Sequence, residues 1–265
     1  RDRRTALTTE LCVSEKVDGT DVRSHKSRGS DLSPVCVSDK VDGSDVRSHN
    51  PVTGTWKTEH MGLYDTYVLP HLVAVACGSG DAARQRKKVV PLATGRVLEV
   101  GMGPGLNLPF YDRSAVELVW GLEPSEGMRR KAAPALAATD LDVRWLDLPG
   151  EQIPLDDDSV DTVVLTYTLC SIADWEGALA QMRRVVKPGG RLLFSEHGEA
   201  PDEPVRRWQH RVDPVWTRVA GGCHITRPIP ALIESAGFEL VEVESAYLPG
   251  PKIASYHSWG VARQR

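Results

Sequence analysis

A doubly wound, mostly parallel α/β sheet is the fold class that this sequence predicts, on three observations. From residue 96 onward, short runs of branched apolar residues alternate with stretches of helical periodicity. The first run, Arg96-Val97-Leu98-Glu99-Val100, opens directly into a glycine-rich turn, and the second ends on a carboxylate, Glu123, 22 residues after Gly101. Strands that alternate with helices favour parallel pairing. A ligand then sits at the carboxyl ends of the first strands, beside the point where strand order reverses.

Taken in order, Tyr64 to Gly78 has apolar positions at helical spacing and stops at a glycine, which predicts an amphipathic helix lying on the core. Strands are expected at 96–100, 116–122, 142–146, 160–166, 191–196, 238–246 and 254–262, seven in all. Helices are expected near 125–138, 175–186, 203–219 and 229–236. The segment Val185-Val186-Lys187-Pro188-Gly189-Gly190-Arg191 is expected to stop the second of these helices, with proline and glycine at its C-cap.

Composition sets the bounds around this domain. The chain has 265 residues, 41% apolar and 26% charged, as in soluble globular proteins. Its net charge of -4 provides no basic footprint for nucleic acid, and no apolar run approaches the roughly 18 residues that cross a bilayer. Residues 1–60 differ from the rest: only 15 are apolar, and ten basic residues balance ten acidic ones. Such a stretch buries too little apolar surface to offset its ordering entropy, so it is expected to be disordered. It contains a duplication, in which residues 12–26 recur as 36–50 with 12 of 15 positions identical. Two copies are too few for a solenoid. Each copy has a Cys and a His thirteen apart, without the paired spacing of a zinc site, so no metal is expected. The expected organisation is a polar extension over 1–60 and one domain over 61–265, with Met61 as a candidate start. Five cysteines without close spacing fit reduced thiols in a cytoplasm.

The strongest chemical signal is Glu99-Val100-Gly101-Met102-Gly103-Pro104-Gly105-Leu106-Asn107. Glycines at alternate positions let the backbone turn sharply and approach a ligand closely. Glu123, at the end of the next strand, has the chemistry to accept hydrogen bonds from a ribose diol. A dinucleotide fingerprint needs a small residue three positions after its second glycine; the residue there is Leu106 or Leu108, depending on the start, so a nicotinamide cofactor is disfavoured.

The pattern Glu-x-Gly-x-Gly-x-Gly instead resembles motif I of the class I S-adenosylmethionine-dependent methyltransferases. Gly150-Glu151-Gln152-Ile153-Pro154-Leu155 resembles the adenine-side loop of the type 11 group, with Pro149 where many members have an acidic residue and Asp147 as a substitute. Three further stretches, Thr166 to Ile172, Ser195-Glu196-His197, and Trp208 to Trp216 with Gly222 to Arg227, resemble the branch with the human alkyl-thiol methyltransferases. Those proteins have an N-terminal hydrophobic anchor, whereas this chain begins with a polar repeat.

The resemblance implies a Rossmann-like seven-stranded fold and S-adenosylmethionine as cofactor, leaving as S-adenosylhomocysteine. It implies cofactor contacts from Glu99, Gly101, Gly103, Gly105, Asn107, Glu123, Pro124, Gly150, Glu151 and Thr166. The acceptor is expected to be a small apolar molecule such as a thiol, with a lipid amine or quinone carbon as the alternative, and a non-catalytic cofactor-binding module as a further one. Because a thiol is only partly ionised at neutral pH, a base helps. His197, His224 and His210 are candidates, and Cys170 lies where the fourth strand delivers its end to the methyl group. Trp208 and Trp216 are two turns apart on one helix face and either join the core or roof the acceptor site. Tyr64 and Asp65 are placed to close over the cofactor.

Overall fold

The computed structural model describes residues 80–264. The expected helix over 64–78, with Tyr64 and Asp65, and the polar extension with its boundary at Met61 lie outside the described residues. Seven strands form one sheet: β1 (Gly95–Val100), β2 (Val116–Leu122), β3 (Val143–Leu146), β4 (Val160–Thr166), β5 (Val186–His197), β6 (Phe238–Tyr247) and β7 (Tyr256–Gln264). Their order is β3-β2-β1-β4-β5-β7-β6, and β7 alone among them runs antiparallel to both neighbours. The helices are α1 (Gly80–Val89), α2 (Glu126–Lys131), α3 (Ala133–Ala137), α4 (Trp175–Val185), α5 (Glu203–Val219), α6 (Ile229–Ser235) and α7 (Lys252–Ser255). No helix among the described residues is long and apolar enough to cross a membrane.

The period-two alternation of the strands builds two core layers. Val97, Val119, Val164 and Leu193 face one side, with Val89, Val90 and Trp259 packed there. Leu98, Trp120, Leu165, Leu192 and Phe194 face the other, under Leu179, Met182 and Val185 of α4 and Ile229 and Ile233 of α6. Burial on both faces explains why these strands read as nearly continuous apolar runs.

The structure departs from the expected elements in four places. The helix expected over 125–138 is two short helices meeting at Ala132, with Pro134 in the first turn of α3. A proline ring has no N–H and clashes with the preceding turn, so it is tolerated at a helix start and breaks an interior. Helix α4 ends at Val186, which is already extended (φ -76°, ψ 135°) and pairs with Val160. Gly189, at φ +76°, comes three residues later inside the strand segment, so the glycine pair shapes an irregularity in β5 and is not the helix cap. Helix α1 was not expected: its charged sequence, Gly80 to Val89, has a weak apolar face. The last strand begins two residues later than expected, because Lys252–Ser255 form one helical turn.

Gln209 fixes helix α5 to its neighbours from within the core. Gln209 is fully buried; its Oε1 accepts the Ala200 N–H at 2.9 Å, and its Nε2 donates to the carbonyls of Gly198 (3.1 Å) and Ile253 (3.0 Å). This bond set ties α5 to the segment after β5 and to α7.

Candidate active site

Strand order reverses between β1, which runs on to β2, and β4, which runs on to β5, and a cleft opens there beyond the carboxyl ends of these strands. Counted out to its open mouth it holds about 610 Å³. Its lining includes Gly101, Met102 and Gly103 from the turn after β1, Glu123 just after β2, Thr166 at the end of β4 with Tyr167, Thr168 and Ser171 beyond it, and Arg86 from α1.

The glycine turn owes its shape to local sterics. Gly101 has φ +69°, and a Cβ placed on it would lie 2.3 Å from the Thr168 side chain. Beside Gly103 the nearest atom to such a Cβ is 3.9 Å away, which leaves open space over the backbone. Glu123 organises this turn: its Oε2 accepts the Gly103 N–H at 3.0 Å, and its Oε1 accepts the Ser125 N–H at 2.8 Å. Burial pushes its pKa above the usual carboxylate value, against these two backbone bonds and the charge of Arg129.

Behind the turn, Glu99 is fully buried. It accepts hydrogen bonds from Asn107 Nδ2 (2.9 Å) and the Tyr111 hydroxyl (2.7 Å), and Asn107 also donates to Thr166 Oγ1 (3.0 Å). Burial raises the Glu99 pKa to about 7 despite those donors and nearby Arg86. Asn107 Oδ1, in a residue lining the cleft, is buried with no partner among the described residues. Tyr167 sits in the left-handed region at φ +55°, a conformation that costs energy for a non-glycine residue and concentrates at functional sites. The Arg86 guanidinium lies over its ring at 4.8 Å.

On the far side of Ser171 lies a second set of polar groups. Cys170 follows β4, His197 ends β5, and Cys223 lies in the loop between α5 and α6. His197 Nε2 is 2.9 Å from Cys223 Sγ, and Cys223 Sγ is 3.6 Å from Cys170 Sγ. Cys170 Sγ in turn lies 3.5 Å from the hydroxyl of Ser171, a residue lining the cleft. Glu196, fully buried, accepts the N–H groups of Thr168 (2.6 Å), Leu169 (3.0 Å) and Cys170 (3.4 Å). Arg227 donates to the Leu169 carbonyl. The Glu196 pKa is raised by burial, and the Cys223 thiol is pushed up by its contact with Cys170 and by burial.

Most of the residues singled out in the sequence meet at these two places. Glu99, Gly101, Gly103, Asn107, Glu123 and Thr166 line the cleft, while Gly105 and Pro124 are in the same turns. Gly150 is packed against Ile172, Ala178 and Val100, and among the described residues neither it nor Glu151 nor Asp147 lines the cleft. Cys170 and His197 come together, but the His224 ring is held by Asp213 (Nδ1 to Oδ2, 2.8 Å) outside that cluster. His210 pairs with Glu199 at 2.7 Å on the surface. Trp208 is 56% exposed beneath Arg211, so it joins neither the core nor the cleft wall. Tyr111, Arg86 and Cys223 escaped the sequence reading as site residues. Only Cys223 had a signal, its place in the Gly222 to Arg227 stretch.

Residues 98–194 match the family model described as a methyltransferase domain. The chain is 34% identical over 152 residues to thiol S-methyltransferase TMT1B of Rattus norvegicus, covering 56% of this chain and 62% of that protein. It is 32% identical over 189 residues to thiol S-methyltransferase TMT1B of Homo sapiens, covering 66% of this chain and 77% of that one. The matched stretch thus spans less than two thirds of the rat protein's length. Among solved structures, a putative methyltransferase from Bacillus halodurans superposes with a TM-score of 0.57 at 16% identity, covering 70% of this chain and 99% of that one, a likeness of fold alone. The strand order, the glycine turn with its carboxylate and these relatives together place the chain among the class I S-adenosylmethionine-dependent methyltransferases, in the branch that contains the human alkyl-thiol methyltransferases.

Proposed function

We propose that this protein transfers the methyl group of S-adenosylmethionine to a small soft nucleophile, with a thiol as the first choice. The observation that carries the reading is the Glu123 carboxylate at the end of β2, anchored on Gly103 and Ser125 and lining a cleft at the switch point. Each oxygen accepts one backbone N–H and keeps a lone pair, so a ribose diol finds two charged acceptors there. The residues fit the rest of the cofactor as well. The open space over Gly103 accommodates close approach, and the orphaned Asn107 Oδ1 and the Glu99 carboxylate are acceptors for an ammonium group.

When bound, the cofactor supplies a sulfonium whose methyl carbon is electrophilic. The chain's own part is to hold donor and acceptor in line and to keep the nucleophile deprotonated, and alignment alone is worth several kcal/mol. Thr166, Tyr167, Thr168 and Ser171 line the cleft, and Ser171 joins it to the cluster of Cys170, His197 and Cys223, whose imidazole is a group able to accept a thiol proton. The thiol assignment draws on the named activity of the human and rat relatives.

Calorimetry with S-adenosylmethionine, followed by turnover to S-adenosylhomocysteine with a panel of alkyl thiols, amines, phenols and quinols, tests the reading. Methylation of thiols is expected. Methylation of amines or quinols alone rejects the thiol assignment, and cofactor binding without turnover on any acceptor favours a binding module.

A further inference from the structure

We propose that Cys170, His197 and Cys223 form a three-ligand zinc site whose fourth position takes the sulfur of the acceptor. Their ligand atoms all lie within 4.8 Å of one another, with Sγ to Sγ at 3.6 Å and Nε2 to Sγ at 2.9 Å. Around a tetrahedral zinc with bonds of about 2.3 Å to sulfur and about 2.0 Å to nitrogen, sulfur atoms stand about 3.8 Å apart and sulfur and nitrogen about 3.5 Å. Reaching the usual separations opens the Sγ pair by about 0.2 Å and the Nε2 to Cys223 Sγ pair by about 0.6 Å, and draws the His197 and Cys170 ligand atoms, which lie within 4.8 Å, to about 3.5 Å, shifts within the reach of side-chain rotation. Two thiolates and an imidazole are a soft donor set, which selects zinc over calcium or magnesium. Three protein ligands with one open position is the arrangement of zinc sites that act on a substrate.

Three features of the surroundings argue that the cluster is built to stay in place. The ligands come from three separate elements, and the loop bearing Cys223 is docked onto Cys170 by the His224 N–H, which donates to the Cys170 carbonyl at 2.9 Å. Glu196 holds the backbone of Thr168, Leu169 and Cys170 from below, so the Cys170 side chain leaves a fixed turn. A divalent cation with two thiolates is neutral, and Arg227 lies among the remaining carboxylates, the buried Glu196 and Asp213, the latter also paired with His224. The Ser171 hydroxyl, 3.5 Å from Cys170 Sγ, joins this cluster to the cleft.

The role of the open position rests on the thiol reading above. As an acceptor's sulfur takes that position its S–H proton passes to solvent. The sulfur lone pair then forms the new S–C bond while the donor's C–S bond breaks, its electron pair remaining on the donor sulfur as S-adenosylhomocysteine. The product is a neutral thioether, a weaker ligand than a thiolate, and it leaves.

The test titrates the reduced, chelator-treated full chain with cobalt(II) chloride alone. The expected result is one cobalt per chain, with thiolate-to-cobalt charge-transfer absorption and tetrahedral visible bands that zinc sulfate abolishes. Cys170→Ser and Cys223→Ser should each weaken cobalt binding at least tenfold, while the combined Cys12→Ser, Cys36→Ser and Cys77→Ser chain keeps it. Adding ethanethiol to the cobalt-loaded wild-type chain should add charge-transfer intensity, a readout that needs no variant to fold. Absence of stoichiometric uptake, charge transfer that survives in both Cys170→Ser and Cys223→Ser, or no response to ethanethiol overturns the site. Thiol methylation by the metal-free chain overturns the role of the open position in holding the acceptor and leaves the thiol reading standing. Cobalt uptake with thiol ligation but no thiol turnover supports the site and removes the reading beneath its role.

Discussion

Substituting Glu99→Gln isolates the cost of placing a carboxylate behind the glycine turn. Burial raises the Glu99 pKa from the ordinary 4.5 to about 7. At about 1.4 kcal/mol per pKa unit, this difference corresponds to about 3 kcal/mol. The sign follows from proton counting: between about pH 4.5 and 7 the folded chain holds a proton that the unfolded chain has released. The contribution of neutral Glu99 to stability is therefore complete below pH 4.5 and is lost as pH rises through 7. A glutamine has no charge to bury, and it keeps the network if the Asn107 amide turns over. The Asn107 Oδ1, orphaned in the wild-type chain, then accepts from the new amide, and Tyr111 donates to its carbonyl. Urea unfolding followed by tryptophan fluorescence at several pH values between 4.5 and 8 measures the difference between the two chains. That difference should move in favour of the glutamine variant by about 3 kcal/mol across the range. Glu123 and Glu196 are also raised by burial and titrate with the same sign, but they are present in both chains and cancel. Curves that stay parallel within about 1 kcal/mol would refute the reasoning, because Glu99 would then ionise as freely folded as unfolded.

Three other outcomes follow from the same geometry. Glu123→Ala removes two charged acceptors and leaves the Gly103 and Ser125 N–H groups unpaired, so the calorimetric Kd for S-adenosylmethionine should rise about 100-fold. Gly101→Ala combines a left-handed φ of +69° with a Cβ 2.3 Å from Thr168; it should destabilise the fold by about 2 kcal/mol or more in denaturant titration and weaken cofactor binding with it. Gln209→Leu strands the Ala200 N–H and the Gly198 and Ile253 carbonyls in a buried place, and a loss of about 3 kcal/mol in the unfolding midpoint analysis is expected, with cofactor affinity nearly unchanged.

Much of the cleft around the glycine turn was legible in the residues themselves. Glu99, the three alternating glycines and Glu123 are spaced along the chain by the length of one strand, one turn and one crossover, so local periodicity suffices to bring them to one end of the sheet. The cluster of Cys170, His197 and Cys223 was legible only in fragments. Cys170 and His197 are 27 positions apart and Cys223 a further 26, with no motif spacing, and their meeting depends on β4 and β5 ending side by side and on where the loop after α5 falls. Asn107 shows the same limit from the other direction. Its place in the glycine motif was visible, but its bonds to both Glu99 and Thr166 depend on the parallel pairing of β1 with β4.

What the amino-acid sequence determined by itself was the alternation of elements, the parallel sheet and the glycine turn with its carboxylate. These rest on apolar periodicity, on the φ freedom of glycine and on a proton acceptor at a strand end, all properties of short stretches of chain. The tertiary structure decided where helices broke, through Pro134 and the early extension at Val186, and which distant side chains share an environment. It decided as well that burial pushes the Glu99 pKa up to about 7 and that two thiols and an imidazole converge beside the cleft, because desolvation and side-chain proximity are set by the packing of the whole domain.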